Sequence, residues 1–165
     1  PNECYLEVGT WRGATLIGAL LDNDAYGVAI DDDSMNDHDG DARESRDVWY
    51  DNAFKFDVGI RAEYGNGSVP DVWTEIGLRS NVGVYLFDGD KSTEEAAYEG
   101  LSGVLPLLAD EALIFVDDAN EITIRMAVHK LELAYPNVVK ILDIPTPGNC
   151  WPCFWNGIMA LAWKR

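Results

Sequence analysis

Two pairs of aspartates stand at the ends of two apolar segments, where their spacing could support chemistry. The segment VGVYLFDGDKS (residues 82–92) contains Asp88 and Asp90, and ALIFVDDAN repeats the pattern with Asp117 and Asp118. If the two segments form neighbouring parallel strands, about 4.8 Å apart, Asp88 and Asp117 end side by side. Carboxylates that close together need a proton, a cation or full solvation. The alternative is structural: Asp88 begins a turn with Gly89, and Asp118 caps a helix.

A shared cation would explain why both segments end on carboxylates at the same predicted edge. Asp88, Asp117 and Asp118 form an all-oxygen set. Such a set, completed by water and a bound molecule, suits Mg²⁺ or Mn²⁺ better than zinc. Asn120 is a further candidate ligand. We therefore favour a divalent-cation site over the turn and the helix cap.

The stretch LEVGTWRGAT predicts a strand, a glycine turn and a helix. Gly9 allows the sharp turn, and Gly13 allows the strand or a ligand to approach the helix start closely. The dinucleotide fingerprint needs GxGxxG, whereas this sequence has GxxxG preceded by the acidic Glu7, which suits a ligand with a positive amino group. Asp31, 22 residues after Gly9, ends a second predicted strand and could bind a ribose diol. The alternative is an ordinary βα turn with a polar strand end.

Short strand-like segments alternate with helical periods, which predicts an α/β fold. The predicted strands are 4–8, 25–30, 58–64, 82–87, 112–116, 138–144 and 154–163. The predicted helices are 14–21, 42–56, 71–77, one after a capping box at Ser92 and Glu95, and 121–135. We expect an open, doubly wound, mainly parallel seven-stranded sheet with helices on both faces and the last strand antiparallel. Ligands bind such sheets at the carboxyl ends of the strands, which predicts one edge that contains Gly9, Asp31, Asp88 and Asp117.

Composition and charge restrict the partners. The chain has 165 residues, enough for a sizeable core, and we expect residues 1–165 to form a single domain. Its 29 Asp and Glu against 12 Lys and Arg give a formal net charge of −17, which repels nucleic acid and anionic membrane surfaces. No apolar run approaches the ~20 residues of a membrane span. The sequence does not distinguish a monomer from a homo-oligomer.

The three cysteines are too few for a disulfide scaffold, which favours a cytoplasmic protein. Cys150 and Cys153, in CWPC, have the spacing of redox dithiols and zinc knuckles. A redox pair should open a helix, and a zinc site needs a second pair of ligands, so we predict a loop before the last strand. Because a strand begins soon after Pro1, we also expect that an N-terminal segment is missing.

Four motifs, EVGTWRG, AIDDD, LFDGDKS and FVDDAN, together resemble the class I S-adenosylmethionine-dependent methyltransferases over nearly the whole chain. Within them the sequence is most similar to the metal-dependent O-methyltransferases of the macrocin and sugar type. The resemblance implies a cofactor site and three metal ligands. The cofactor residues would be Glu7, Gly9, Thr10, Gly13, Asp31, Asp32, Asn66, Ser68 and Asp88, and the metal ligands Asp88, Asp117 and Asp118.

The resemblance also implies a role for each part of this cofactor site. Glu7 and Gly9 would lie against the methionine part, Asp31 would hold the ribose hydroxyls, and Asn66 and Ser68 would lie by the adenine. The family more often has an aspartate in this last loop, which is a departure here.

The implied chemistry is transfer of a methyl group from a sulfonium to a hydroxyl of a small molecule, such as a sugar or a sugar-bearing metabolite. Coordination to Mg²⁺ would lower the pKa of the hydroxyl and orient it. Asp90 and Lys91 are the candidate catalytic bases. Lys91 departs from close relatives, which often carry histidine there, and it would first have to lose a proton, so we favour Asp90.

Two other functions remain open from the sequence. LFDGD also fits the DxD motif with which Mn²⁺-dependent glycosyltransferases hold a nucleotide-sugar, although that function leaves EVGTWRG and Asp31 unexplained. A domain that binds the cofactor without catalysis, or whose acidic edge is purely structural, is the third interpretation.

Overall fold

The computed structural model describes residues 3–34, 44–69, 71–72, 81–147 and 155–165. Within these residues seven strands form one sheet. The strands are β1 (Glu3–Val8), β2 (Tyr26–Asp31), β3 (Ala62–Asn66), β4 (Asn81–Phe87), β5 (Leu108–Asp117), β6 (Val138–Ile144) and β7 (Ile158–Lys164). Their order is β3-β2-β1-β4-β5-β7-β6.

The strand directions agree with the predicted fold class. β1 pairs with β2, β2 with β3, and β4 with β5, all in parallel. β7 runs antiparallel to both β5 and β6. The mainly parallel seven-stranded α/β sheet with an antiparallel last strand is therefore confirmed. The chain divides into two compact units, Pro1–Ser80 and Asn81–Arg165, and the single domain stays a prediction.

The first unit is built on an apolar cluster that joins its helices to its strands. Helix α1 spans Ala14–Leu20, helix α2 spans Ser45–Lys55, and a 3₁₀ turn spans Gly59–Arg61. This turn occupies part of the predicted third strand, which is why β3 begins only at Ala62. The cluster consists of Leu16, Ile17, Leu20, Ala29, Trp49, Ala53 and Val58, all buried. Most of the predicted helix at 71–77 lies outside the described residues.

The second unit has helix α3 (Glu94–Gly103) and helix α4 (Ile122–Ala134) beside its strands. The predicted capping box is wrong by one residue, because the N-cap of α3 is Thr93, whose hydroxyl accepts from the backbone N–H of Ala96 at 3.1 Å. The backbone N–H of Ser92 instead donates to Asp90. None of the helices in the described residues is both long and apolar enough to cross a membrane.

The contact between α3 and β4 gives a stability prediction. A Cβ on Gly100 would lie 2.3 Å from Cε2 of Phe87, which is 2% exposed and directly precedes Asp88. Overpacking of this kind costs about 1–3 kcal/mol, more than the ~1 kcal/mol that alanine gains over glycine in a helix. Gly100→Ala should therefore lower the free energy of unfolding, measured by urea denaturation.

Gly103 is the matched control, since it lies on the same helix and a Cβ there meets nothing within 4 Å. Gly103→Ala should leave stability unchanged or raise it by up to about 1 kcal/mol. Equal effects of the two substitutions would contradict the packing of α3 on Phe87.

Candidate functional sites at the strand ends

The first candidate site, the glycine-turn cluster, consists of Glu7, Gly9, Thr10 and Asp31. Gly9 has φ +82°, and its backbone N–H donates to the carbonyl of Ile30 at 2.8 Å, so the turn after β1 is bonded to the end of β2. Only glycine adopts this left-handed φ readily. The sequence Gly9–Gly13 therefore turns where the motif predicts, and α1 begins directly after it.

Glu7 is almost completely buried on β1, with 1% of its surface exposed. Side chains two residues apart share a face of a strand, and the hydroxyl of Tyr5 donates to Oε2 of Glu7 at 2.7 Å. Burial and the charge of Glu7 raise the pKa of Tyr5. Tyr5 therefore stays protonated and remains a hydrogen-bond donor that holds the Glu7 carboxylate in place.

Asp31 is the last residue of β2 and is 8% exposed. Its Oδ2 accepts from the backbone N–H of Trp11 at 2.7 Å, and its Oδ1 accepts from the N–H of Asp33 at 2.9 Å. Burial raises the pKa of Asp31, and these two hydrogen bonds oppose that rise. A carboxylate has about four acceptor positions, so each oxygen can accept one further hydrogen bond. Asp31 is thus held rigidly while it keeps the capacity to bind a diol.

Asp33 organises the neighbouring strand end, a role that the sequence did not suggest. Its carboxylate accepts from the hydroxyl of Tyr64 at 2.7 Å and from the side-chain amide of Asn66. Asn66 is in register with Asp31 across the β2–β3 pair. The amide predicted to lie by the adenine therefore already has one partner within the protein.

The other predicted residues of this region also have local partners. The hydroxyl of Ser68 donates to Asp71 at 2.6 Å, and Asp32 accepts from the backbone N–H of Ser34 at 2.9 Å. Asp32 is exposed, unlike Asp31. Their predicted roles at the cofactor stay predictions.

Thr10 and Gly13 complete the turn. The side chain of Thr10 is 3% exposed, and its hydroxyl has no hydrogen-bond partner in the described part of the chain. Gly13 has φ +82°, and a Cβ there would lie 2.7 Å from the ring of Trp49. A buried hydroxyl without a partner costs free energy, so Thr10 is suited to a polar ligand that supplies one. Together with the open acceptor positions of Asp31, the Thr10 hydroxyl suits a ligand that carries polar groups, a diol among them.

The second candidate site, the acidic cluster, consists of Asp88, Asp117, Asp118 and Lys91. β4 and β5 are parallel with Phe87 opposite Val116, so Asp88, directly after β4, and Asp117, the last residue of β5, lie side by side. This confirms that strands four and five are neighbours. Asp118 has φ +53° in the turn that leads to α4.

Lys91 lies inside this cluster. Its ammonium donates to Oδ1 of Asp88 and to Oδ2 of Asp118, and its side chain is 19% exposed. Burial lowers the pKa of Lys91, but the charges and hydrogen bonds of Asp88 and Asp118 outweigh burial and raise it. Lys91 is therefore a cation at neutral pH. The sequence had suggested it only as a base.

Two carboxyl groups of the acidic cluster have raised pKa values. Burial raises the pKa of Asp88 to about 6; Lys91 opposes the rise, while Asp117 and Asp118 add to it. Burial also raises the pKa of Asp117. Among the described residues, no three His, Cys, Asp or Glu side chains converge in a way that could hold a metal ion. With Lys91 bonded to two of the three predicted ligands, this arrangement does not fit a divalent ion.

Asp90 lies outside the cluster and is exposed. Its Oδ1 accepts from the backbone N–H of Ser92 at 2.8 Å, and this hydrogen bond holds the pKa of Asp90 below its ordinary value.

Asn120, the further candidate metal ligand, has a partner outside the acidic cluster, since its side-chain amide donates to the carbonyl of Thr146 at 2.7 Å. Cys150 and Cys153 lie outside the described residues, so the predicted loop stays a prediction.

No protein-family model and no curated protein matches this sequence. Solved structures of methyltransferases, in contrast, have the same fold as this chain. The O-methyltransferase TomG from Streptomyces achromogenes, involved in tomaymycin synthesis and solved with S-adenosylmethionine, is similar with a TM-score of 0.72 and 13% identity, over 99% of this chain and 74% of TomG.

Two further solved structures have the same fold. An O-methyltransferase from Bacillus cereus in complex with S-adenosylhomocysteine has a TM-score of 0.69 and 17% identity, over 98% of this chain and 74% of that protein. An rRNA methylase from Streptococcus thermophilus has a TM-score of 0.66 and 10% identity, over 99% of this chain and 89% of that protein. Identities this low establish the fold alone, and function must be argued from the two clusters.

Proposed function

We propose that the protein transfers a methyl group from S-adenosylmethionine to a hydroxyl of a small molecule. The observation that carries this proposal is Asp31, a buried carboxylate at the end of β2 that is bonded to the glycine turn and keeps acceptor capacity for a diol. Such a carboxylate at the end of the second strand suits the ribose of a nucleoside cofactor. The methyltransferase fold makes S-adenosylmethionine the cofactor that best matches it.

Within this proposal the glycine-turn cluster binds the cofactor. Asp31 accepts hydrogen bonds from the two ribose hydroxyls, and Glu7 supplies the negative charge that attracts the positive amino group of the methionine part. Thr10 donates its free hydroxyl to the carboxylate of the methionine part. Asn66 and Ser68 remain the proposed adenine contacts.

The chemistry itself follows from the cofactor. S-adenosylmethionine supplies an electrophilic methyl group, so the carbon–sulfur bond breaks as a bond forms to the acceptor oxygen, and S-adenosylhomocysteine leaves. The acceptor hydroxyl must lose its proton, and we assign Asp90 as the base. As a carboxylate, Asp90 is ionised at neutral pH and can accept the proton, although its lowered pKa makes it a weak base; Lys91 is protonated and cannot accept a proton.

A positive charge beside the acceptor oxygen would stabilise the negative charge that develops there, and two groups could supply it. The sequence predicts Mg²⁺ or Mn²⁺ on Asp88, Asp117 and Asp118. The contacts of Lys91 with Asp88 and Asp118 support the ammonium of Lys91 instead. We favour Lys91, and a metal ion is the alternative that titration distinguishes.

The net charge of the chain restricts the class of acceptor. The net charge of −17 disfavours a nucleic-acid substrate, even though an rRNA methylase has the same fold. We propose a small polyhydroxylated acceptor, a sugar or a sugar-bearing metabolite. We also propose that the protein is cytoplasmic.

Turnover tests the function directly. The full chain is incubated with methyl-labelled S-adenosylmethionine and either a panel of sugars, glycosides and phenols or an rRNA fragment. The proposal predicts label in a small molecule together with release of S-adenosylhomocysteine. Label in rRNA alone, or hydrolysis of a nucleotide-sugar that requires Mn²⁺ without any label transfer, would contradict it.

Thr10→Val should raise the stability of the ligand-free protein and lower its affinity for the cofactor. The substitution keeps the shape and removes a buried hydroxyl that has no partner in the described residues, so the ligand-free protein should gain about 1 kcal/mol of stability. Affinity for S-adenosylhomocysteine should fall about tenfold or more, because the charged carboxylate of the ligand loses one hydrogen bond. Urea denaturation and calorimetric titration measure the two effects.

Thr93→Val is the matched control, since the hydroxyl of Thr93 caps α3. It should lower stability by about 0.5–2 kcal/mol and leave the affinity unchanged. A Thr10→Val protein that loses stability in the same way would show that Thr10 has a structural partner.

A further inference from the structure

We propose that the ammonium of Lys91 is the resident cation of the acidic cluster and occupies the place that the sequence assigns to a divalent ion. The protein would then hold the ends of β4 and β5 together with a side chain of its own, and the cluster would not need a metal ion.

The contacts of the Lys91 side chain and of its backbone both support this assignment. Lys91 follows β4 and Asp118 follows β5, so the contact of Lys91 with Asp118 joins the ends of two parallel strands, as a shared metal ion would. The contact with Asp88 closes the same link on the side of β4. The backbone of Lys91 is fixed as well, because its carbonyl accepts from the hydroxyl of Thr123 on α4 at 2.9 Å.

A divalent ion would have to displace this ammonium. Two of the three predicted ligands, Asp88 and Asp118, already accept hydrogen bonds from Lys91. Lys91 is mostly buried, so its charge is poorly screened and would repel a second cation at the same place. Asp117 and the remaining oxygens of Asp88 and Asp118 could bind Mg²⁺ or Mn²⁺ only beside this ammonium.

The assignment also gives Lys91 a function in the proposed reaction. An ammonium has three N–H donors, and Asp88 and Asp118 use two of them. The third can donate to an oxygen of the acceptor and stabilise negative charge that develops there. This consequence rests on the proposed methyl transfer, whereas the identity of the cation does not.

Calorimetric titration of MnCl₂ into the metal-stripped full chain, at physiological ionic strength, tests the identity of the cation. The wild-type protein should have no saturable Mn²⁺ site in the acidic cluster. Lys91→Met should gain one saturable Mn²⁺ site, with a Kd at least about tenfold below that of any Mn²⁺ binding by the wild-type protein, because the carboxylate oxygens are freed and the repelling charge is gone. Adding Asp118→Asn to Lys91→Met should abolish this binding. A wild-type protein that binds one Mn²⁺ as tightly as Lys91→Met would overturn the proposal.

Lys130→Met is the matched control, because Lys130 also contacts two carboxylates, Glu94 at 4.0 Å and Glu95 at 2.7 Å. It removes the same charge from another place and should bind Mn²⁺ as the wild-type protein does. Thermal unfolding of the wild-type protein in MnCl₂ and in EDTA is a second test that needs no Lys91 variant. Equal Tm values support the proposal, and a Tm that rises with Mn²⁺ in the wild type but not in Asp118→Asn contradicts it. Neither measurement contains S-adenosylmethionine, so failure of the proposed function would be seen separately.

Discussion

Asp31→Ala is expected to lower the affinity for S-adenosylhomocysteine at least about a hundredfold, because hydrogen bonds to a charged group contribute about 1.5–3 kcal/mol each and the ribose would lose two. Asp31→Asn should have a smaller effect, since one acceptor oxygen remains. Calorimetric titration of S-adenosylhomocysteine into each variant measures both losses.

The controls for this prediction separate binding from folding. Asp31 also accepts from the backbone of Trp11 and Asp33, so circular dichroism must establish that each variant is folded. Asp24→Asn removes a charge from the exposed loop before β2 and should leave the affinity unchanged. An Asp31→Ala protein that is folded and binds as tightly as the wild type would exclude Asp31 from the cofactor site.

Asp90→Asn should lower kcat by about 10²–10⁴-fold, which is the usual contribution of a general base. The affinity for S-adenosylhomocysteine should not change, because Asp90 is not part of the glycine-turn cluster. The measurement is label transfer from S-adenosylmethionine to an acceptor found in the turnover screen, together with calorimetric titration of the product.

Glu99→Gln is the charge-matched control, since Glu99 is an exposed carboxylate on α3. It should leave kcat unaltered. If Asp90→Asn turned over at the wild-type rate, the base would have to be another group or solvent. If both substitutions slowed the reaction equally, the effect would come from the overall charge.

The sheet and the places of the two clusters could be predicted because the signals are local. β2, β4 and β5 end at or directly before an aspartate, and Gly9 marks the first turn, so the carboxyl ends of β1, β2, β4 and β5 were predicted within one residue. The neighbouring positions of Asp88 and Asp117 follow from strand order alone. The N-cap was missed by one residue because Ser92 and Thr93 are both good caps, and only the path of the loop after β4 decides between them.

The parts that could not be predicted depend on contacts between distant residues. The network around Asp33 joins residues more than 30 positions apart, and nothing in the local sequence marks it. Lys91 could be recognised as a candidate for chemistry, but its contact with Asp118 depends on the left-handed turn at Asp118 and on the pairing of β4 with β5. The sequence favours a cation beside Asp88, Asp117 and Asp118, and the fold places the ammonium of Lys91 against two of them.

Cofactor binding is the first requirement of the proposed methyl transfer, and it can be measured without an acceptor or a metal ion. S-adenosylmethionine and S-adenosylhomocysteine are titrated separately into the wild-type chain by calorimetry, followed by titration of one in the presence of the other. We expect saturable one-to-one binding of both compounds, and we expect each to compete with the other. Absence of heat and of any change in Tm with either compound, in protein shown to be folded, would contradict it.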